Sequence, residues 1–341
     1  MNMEFARQVR DNIKSYLPPE YREADVTLEE VTKGNDLTLT GLVVRNEGEA
    51  IVPTIYLEPY AGEYEQGRPM DEIMREIART RTQHGLKLPF EVSEMKDYDR
   101  VKPLLAIRLF DPEINQQYMK GKPFTPCGDL AAHYRIQLME GSRGTASAVI
   151  TDGMLETWGI TKEQLHQDAA AAESARNPVR FYSMEDVMNE FMAPVRAENL
   201  FDREGPLELG PMPMYVLTNA NKVNGSGVLA HEGVLEKIGD LMGQDYFVLP
   251  SSVHEVLIVP GNGEMQAKEL ESIVREINAT QVAPDEVLSD KVQYYDREAK
   301  TLGRKQEKGL LAQLAENKAQ IKEQAERAPK AKTAAKQEPS L

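Results

Sequence analysis

Cysteine, histidine and long apolar runs are all scarce in this sequence, and each scarcity removes a class of protein. A single cysteine in 341 residues, Cys127, excludes an intramolecular disulfide framework and fits a reducing compartment. No apolar run approaches the roughly 18 residues a membrane helix needs. Val256-Leu257-Ile258-Val259 is typical of the longest, so no membrane association is expected. The opening, Met1 to Arg7, is charged and lacks the apolar stretch of a signal peptide, so a cytoplasmic location is expected. No phosphate loop of the GxxxxGKS or GxxxxGKT type occurs.

Positive charge is in deficit too. Forty Lys and Arg stand against 55 Asp and Glu, a formal net charge of -15 at pH 7. That balance argues against a general nucleic-acid or anionic-membrane binder, whose affinity rests on surplus Lys and Arg. The deficit is uneven: residues 303–341 hold nine Lys or Arg and five Glu, a net of +4, which leaves -19 on residues 1–302. With 41% hydrophobic residues the chain can build a core.

The pattern predicts an α+β protein. Phe5, Val9, Ile13 and Leu17 recur at four-residue steps and predict a helix over 4–17, stopped by Pro18-Pro19. Alternating Val26 and Leu28, then Leu37, Leu39 and Val43, then Ile51 to Leu57, predict an antiparallel meander. Met70, Ile73, Met74, Ile77 and Ala78 form a helical stripe read as core filling. Thr161 and Ser183 are read as helix caps, the second opening a helix whose Met184, Val187, Met188, Phe191 and Met192 face inward. From 214 to 295 the order strand, helix, strand, strand, helix, strand fits a ferredoxin-like sandwich. The expected domains are an N-terminal α+β domain over 1–122, a C-terminal α+β domain over 123–300, and a charged helical or disordered tail over 301–341. Within the tail Leu310, Leu314 and Ile321 form a short helical stripe.

Chemistry-bearing residues are few. Ser251-Ser252-Val253-His254-Glu255 nominates Ser252 as nucleophile, His254 as base and Glu255 as acid. On a strand, however, His254 and Glu255 point to opposite faces, so an orienting acid would have to come from elsewhere. His231-Glu232 offers a second imidazole; His231 and His254 are metal-ligand candidates if the fold brings them together, although neither pair extends to HExxH. Gly225 and Gly227 in Gly225-Ser226-Gly227-Val228-Leu229-Ala230 match a dinucleotide loop, with Asp245 at roughly the ribose offset, but the glycines come late after their strand. Cys127 with His133 is a further pair, read as a buried or incidental thiol. No cofactor is predicted. Acid-rich stretches at Glu20 to Glu30 and Asp285 to Asp290 allow a nucleic-acid mimic.

Several segments carry a resemblance: Tyr215 to Asn219, Gly233 to Gly243, Leu249 to Pro260 with its Leu-Pro-Ser-Ser-Val-His-Glu run, Val274 to Asn278, and Val282 to Asp290. With Pro53 to Leu57 and Met154 to Ile160, they resemble an uncharacterised Firmicutes domain-of-unknown-function family often found near mobile elements, over roughly residues 4–300. The Leu-Pro-Ser-Ser-x-His-Glu run is also faintly similar to the YtpQ-like uncharacterised proteins. The resemblance implies a bacterial host and no particular activity. The expected function is therefore a non-catalytic binding or interaction protein, accessory to a mobile element, with an unknown protein partner held through 303–341. A hydrolase or metal-dependent enzyme centred on Ser252 and His254 is the alternative, and the acidic mimic is the third.

Overall fold

The computed structural model describes residues 3–49, 52–83, 92–141, 144–192, 196–210, 213–261 and 266–304. His84 and the stripe of Leu310, Leu314 and Ile321 lie outside them. The fold is α+β, with three antiparallel sheets among the described residues.

The chain opens with α1 (Met3–Asn12), which tightens into a 3₁₀ turn at Ile13–Tyr16 before the two prolines. The meander follows as β1 (Asp25–Thr32), β2 (Thr38–Arg45) and β3 (Thr54–Tyr56), then α2 (Glu58–Glu65) and α3 (Met70–Gln83). Register pairs Val26 with Val44, Leu28 with Leu42, and Leu42 with Ile55, so these residues share one face. That face packs on Phe5, Val9 and Ile13 of the N-terminal segment and on Ile73, Met74 and Ile77 of α3. The methionine stripe is core filling, as its spacing implies. Val43 is off this core by one step of the alternation, since adjacent strand residues face opposite ways.

A second sheet follows α4 (Tyr98–Val101) and contains β4 (Leu105–Phe110), β5 (Phe124–Cys127), β6 (Leu130–Gly141) and β7 (Gly144–Val149). The long β6 pairs with β4 along one edge and with β5 and β7 along the other. The boundary expected at 122/123 falls within this sheet, with β4 before it and β6 after.

Next come α5 (Asp152–Trp158), α6 (Lys162–Arg176), β8 (Val179–Ser183) and α7 (Met184–Met192). Both expected caps form: the Thr161 hydroxyl accepts the Gln164 N–H at 3.2 Å, and the Ser183 hydroxyl accepts the Asp186 N–H at 3.0 Å. The inward placement of the α7 methionines does not hold. Met188 is 60% and Met192 87% exposed. α7 follows directly on the edge strand β8, and none of its described side chains joins a hydrophobic core.

The rest of the chain supplies β9 (Tyr215–Asn219), a 3₁₀ segment (Gly225–Ala230), α8 (Val234–Met242), β10 (Tyr246–Leu249), β11 (Val256–Pro260), α9 (Ala267–Gln281), β12 (Gln293–Asp296) and β13 (Thr301–Gly303). The six-stranded order is β13-β12-β10-β11-β9-β8, antiparallel throughout. β9 and β10 run parallel around β11, the split β-α-β of a ferredoxin-like sheet. The sheet departs from the expected ferredoxin-like sandwich at its last strand: β12 would lie beside β9 there, but β8 occupies that edge and β12 pairs with β10. Alternation then sorts the side chains. Tyr246, Val248, Val256 and Ile258 enter the main core with Leu105, Ile107, Tyr134 and Ile136 of the second sheet, while Phe247 and Leu249 pack on Leu270 and Val274 of α9. Burying each such side chain contributes roughly 1.5–3 kcal/mol. No helix among the described residues is long and apolar enough to cross a membrane.

Candidate binding site

The Ser252–His254 stretch is a turn between β10 and β11, tied down on three sides. Within it the Ser252 hydroxyl accepts the His254 N–H at 3.0 Å. The Thr218 hydroxyl, at the end of β9, donates to the His254 carbonyl at 2.8 Å. The Ser226 hydroxyl donates to the Val253 carbonyl at 2.7 Å, and the Val253 N–H donates to the Glu286 carbonyl at 2.9 Å. The His254 ring is engaged at both nitrogens. Nδ1 accepts the Asn224 N–H at 3.2 Å, which places the ring proton on Nε2, 3.2 Å from Glu286 Oε1. The carboxylate beside the imidazole is thus Glu286, and not the adjacent Glu255.

This arrangement inverts what a serine hydrolase needs. There, one ring nitrogen is held by an acid and the other takes the proton from the serine. Here the acid holds Nε2 and a backbone amide holds Nδ1, while the serine oxygen is drawn into its own turn.

Gly225 and Gly227 sit in the buried 3₁₀ segment. A Cβ on Gly225 would lie 2.1 Å from Thr218 Oγ1 and 2.5 Å from the His254 carbonyl oxygen; one on Gly227 would lie 2.7 Å from the Ile107 carbonyl oxygen. Protein backbone therefore fills the space a pyrophosphate would take, and the glycines serve close packing. Asp245 accepts from the Tyr294 hydroxyl at 2.7 Å and from the Arg297 N–H at 3.0 Å.

His231 is buried away from solvent. Its Nδ1 lies 3.1 Å from the Ser174 hydroxyl and its Nε2 3.5 Å from Glu173 Oε2. His231 and His254 thus have separate carboxylate partners, Glu173 and Glu286. Among the described residues no group of three or more His, Cys, Asp or Glu is placed to hold a metal. Glu173 also accepts the Ile107 N–H at 2.9 Å, and Arg176 donates to the Leu105 carbonyl at 2.6 Å. One turn of α6 thereby satisfies the open edge of β4.

Cys127 and His133 occupy opposite faces of their sheet. Cys127 pairs with Leu130 and belongs to the main core, where burial pushes its thiol up to about 12. His133 pairs with Arg108 on the outer face. It is 2% exposed, flanked edge-on by Phe110 and Tyr118 at 5.4 Å, and its Nδ1 has no hydrogen-bond partner among the described residues. Burial holds its imidazole well below the usual histidine range, with Arg135, Arg108 and Lys122 adding to the effect.

The same outer face presents Arg108 and Arg135, which sequence reasoning missed. Their signal was a charged residue at an alternate position of two otherwise apolar strands: Leu105, Ile107 and Leu109 around Arg108, and Tyr134 and Ile136 beside Arg135. The β1–β2 turn leans over this face. Asn35 donates to the Pro284 and Val287 carbonyls at 2.8 and 2.9 Å, while Asp36 accepts the Tyr118 N–H at 2.8 Å. Gly34, Asn35, Arg108, Tyr118, His133 and Val253 line one cavity there. The supposed catalytic turn and the cationic face are therefore neighbours, joined through the 285–287 segment.

A protein-family model described as a family of unknown function (DUF5688) matches residues 2–297. No curated protein and no solved structure matches the chain.

Proposed function

The chain belongs to DUF5688, a family of unknown function, and we propose that its folded body works as a non-catalytic binding protein. The binding surface is the outer face of β4 and β6, with the Ser252–His254 turn as its rim. The observation that carries this reading is the engagement of both His254 ring nitrogens, which leaves neither of them for the Ser252 hydroxyl. A cytoplasmic bacterial setting close to a mobile element belongs to the same proposal. So does a protein partner held through the basic 303–341 segment, tested by co-purification with and without it.

A panel of carboxyl-ester, amide and phosphoester substrates tests the reading against the hydrolase alternative. The wild-type chain is expected to turn over none of them above the rate of the Ser252→Ala and His254→Ala variants. Turnover that either substitution abolishes would overturn it.

A further inference from the structure

We propose that Arg108 and Arg135 hold the phosphate group of a small molecule in the recess beside β4; this rests on the binding reading above and gives it a ligand class. The recess is narrow, with free space for about one water unless its long side chains part, and is lined by Arg108, Arg135, Arg176, Gln137, Asn224 and Glu173, among others. Its geometry follows from strand register. Arg108 stands opposite His133 and Arg135 opposite Ala106, so the two arginines are diagonal neighbours on one face, and the alanine keeps the lining between them small.

Donor capacity at this spot exceeds what the protein uses. A guanidinium carries five N–H donors. Arg108 gives one hydrogen bond, to the Asp285 carbonyl at 3.1 Å. Arg135 gives two, to the Ser147 hydroxyl at 2.7 Å and the Tyr118 hydroxyl at 3.2 Å. Among the described residues neither arginine forms an ion pair with a carboxylate, although the chain carries a net -15. The Asn224 N–H is spent on His254, but its side-chain amide makes no hydrogen bond among the described residues. Burial, with the adjacent Arg135 charge, holds the Arg108 guanidinium below its ordinary value, and the buried, unpartnered Nδ1 of His133 stands opposite it in the ladder.

Asp285 and Glu286 act on Arg108 from beyond ion-pair distance, and the two like charges kept side by side still call for a closer counter-charge. A phosphate group supplies up to two negative charges and several acceptor oxygens, each matched by a charge-assisted N–H···O bond. The carboxylate in the lining, Glu173, is turned to the Ile107 N–H and His231. A polyanion is disfavoured by the -19 carried on residues 1–302, so a nucleic-acid strand is not the ligand.

Titration calorimetry on the full chain, with inorganic phosphate, sulfate and acetate at matched ionic strength, tests this. Saturable phosphate binding is expected, weakened about tenfold or more by Arg108→Gln and by Arg135→Gln, and unchanged by Lys14→Gln on the exposed N-terminal segment. Arg135→Lys, which keeps the charge but loses the fork, is expected to bind with intermediate affinity; circular dichroism confirms that each variant is folded. Phosphate binding equal to wild type in folded Arg108→Gln and Arg135→Gln would overturn the proposal. So would binding of acetate alone, or no saturation with phosphate up to about 10 mM. Failure here with no turnover in the substrate panel removes the ligand class and leaves the binding reading standing. Turnover abolished by Ser252→Ala removes the reading itself.

Discussion

Gly225→Ala is expected to destabilise the protein by about 3 kcal/mol or more, although it adds one methyl group. The added carbon would lie 2.1 Å from Thr218 Oγ1, 2.5 Å from the His254 carbonyl oxygen and 2.7 Å from the Asn219 nitrogen. Two of these three neighbours are backbone atoms, one in a central strand and the other in the turn that seats His254. The His254 carbonyl cannot move without loosening the Thr218 hydrogen bond that holds the turn to β9. Urea denaturation of Gly225→Ala beside Gly62→Ala reads the effect against a matched control. Gly62 lies inside α2, and a methyl group added there would meet nothing within 4 Å, so alanine is expected to be neutral or to stabilise by about 0.5–1 kcal/mol. Equal denaturation midpoints for the two variants would show that the 3₁₀ segment is not packed as described.

The second large effect concerns acid. His133 keeps a depressed imidazole pKa in the folded state, owing to burial and then to the neighbouring Arg135, Arg108 and Lys122 charges. Below about pH 6.5 the unfolded chain takes up a proton at this residue while the native chain does not. The contribution is therefore fully present above pH 6.5 and is lost as pH falls toward the folded-state value. The slope approaches about 1.4 kcal/mol per pH unit for one such group. His166, half-buried and also lowered chiefly by burial, adds in the same direction. Unfolding free energies measured at pH 7.5, 6.5 and 5.5 in a phosphate-free buffer should fall across the lower interval. His133→Phe should flatten that fall by up to about 1.4 kcal/mol. A variant that loses stability as steeply as wild type would place the acid sensitivity elsewhere.

Much of the fold was legible because burial leaves a periodic trace. The α3 stripe names its own buried face, and the all-apolar β10 and β11 runs mark strands covered on both sides. What failed was information held by a neighbour. Met188 and Met192 have helical spacing that suggests a buried stripe, yet no described side chain of α7 joins a hydrophobic core and both are exposed. Ser252, His254 and Glu255 suggested chemistry by residue type. The fold decides their role through Glu286 and Asn224, which reach the imidazole from other segments. Arg108 and Arg135 passed unnoticed, and only the β4–β6 register makes them a pair. The -15 total concealed that pair altogether, since net charge says nothing about where a few cations converge.

On the proposed reading the protein meets its ligand on this outer face, with the serine–histidine turn only at its rim. Anomalous diffraction from crystals equilibrated with selenate, a heavy-atom analogue of a tetrahedral oxyanion, tests it directly. A peak is expected within hydrogen-bond distance of both the Arg108 and Arg135 guanidinium groups. Selenate bound elsewhere, with the Arg108 and Arg135 site open to solvent in the crystal yet free of anomalous density, would contradict it.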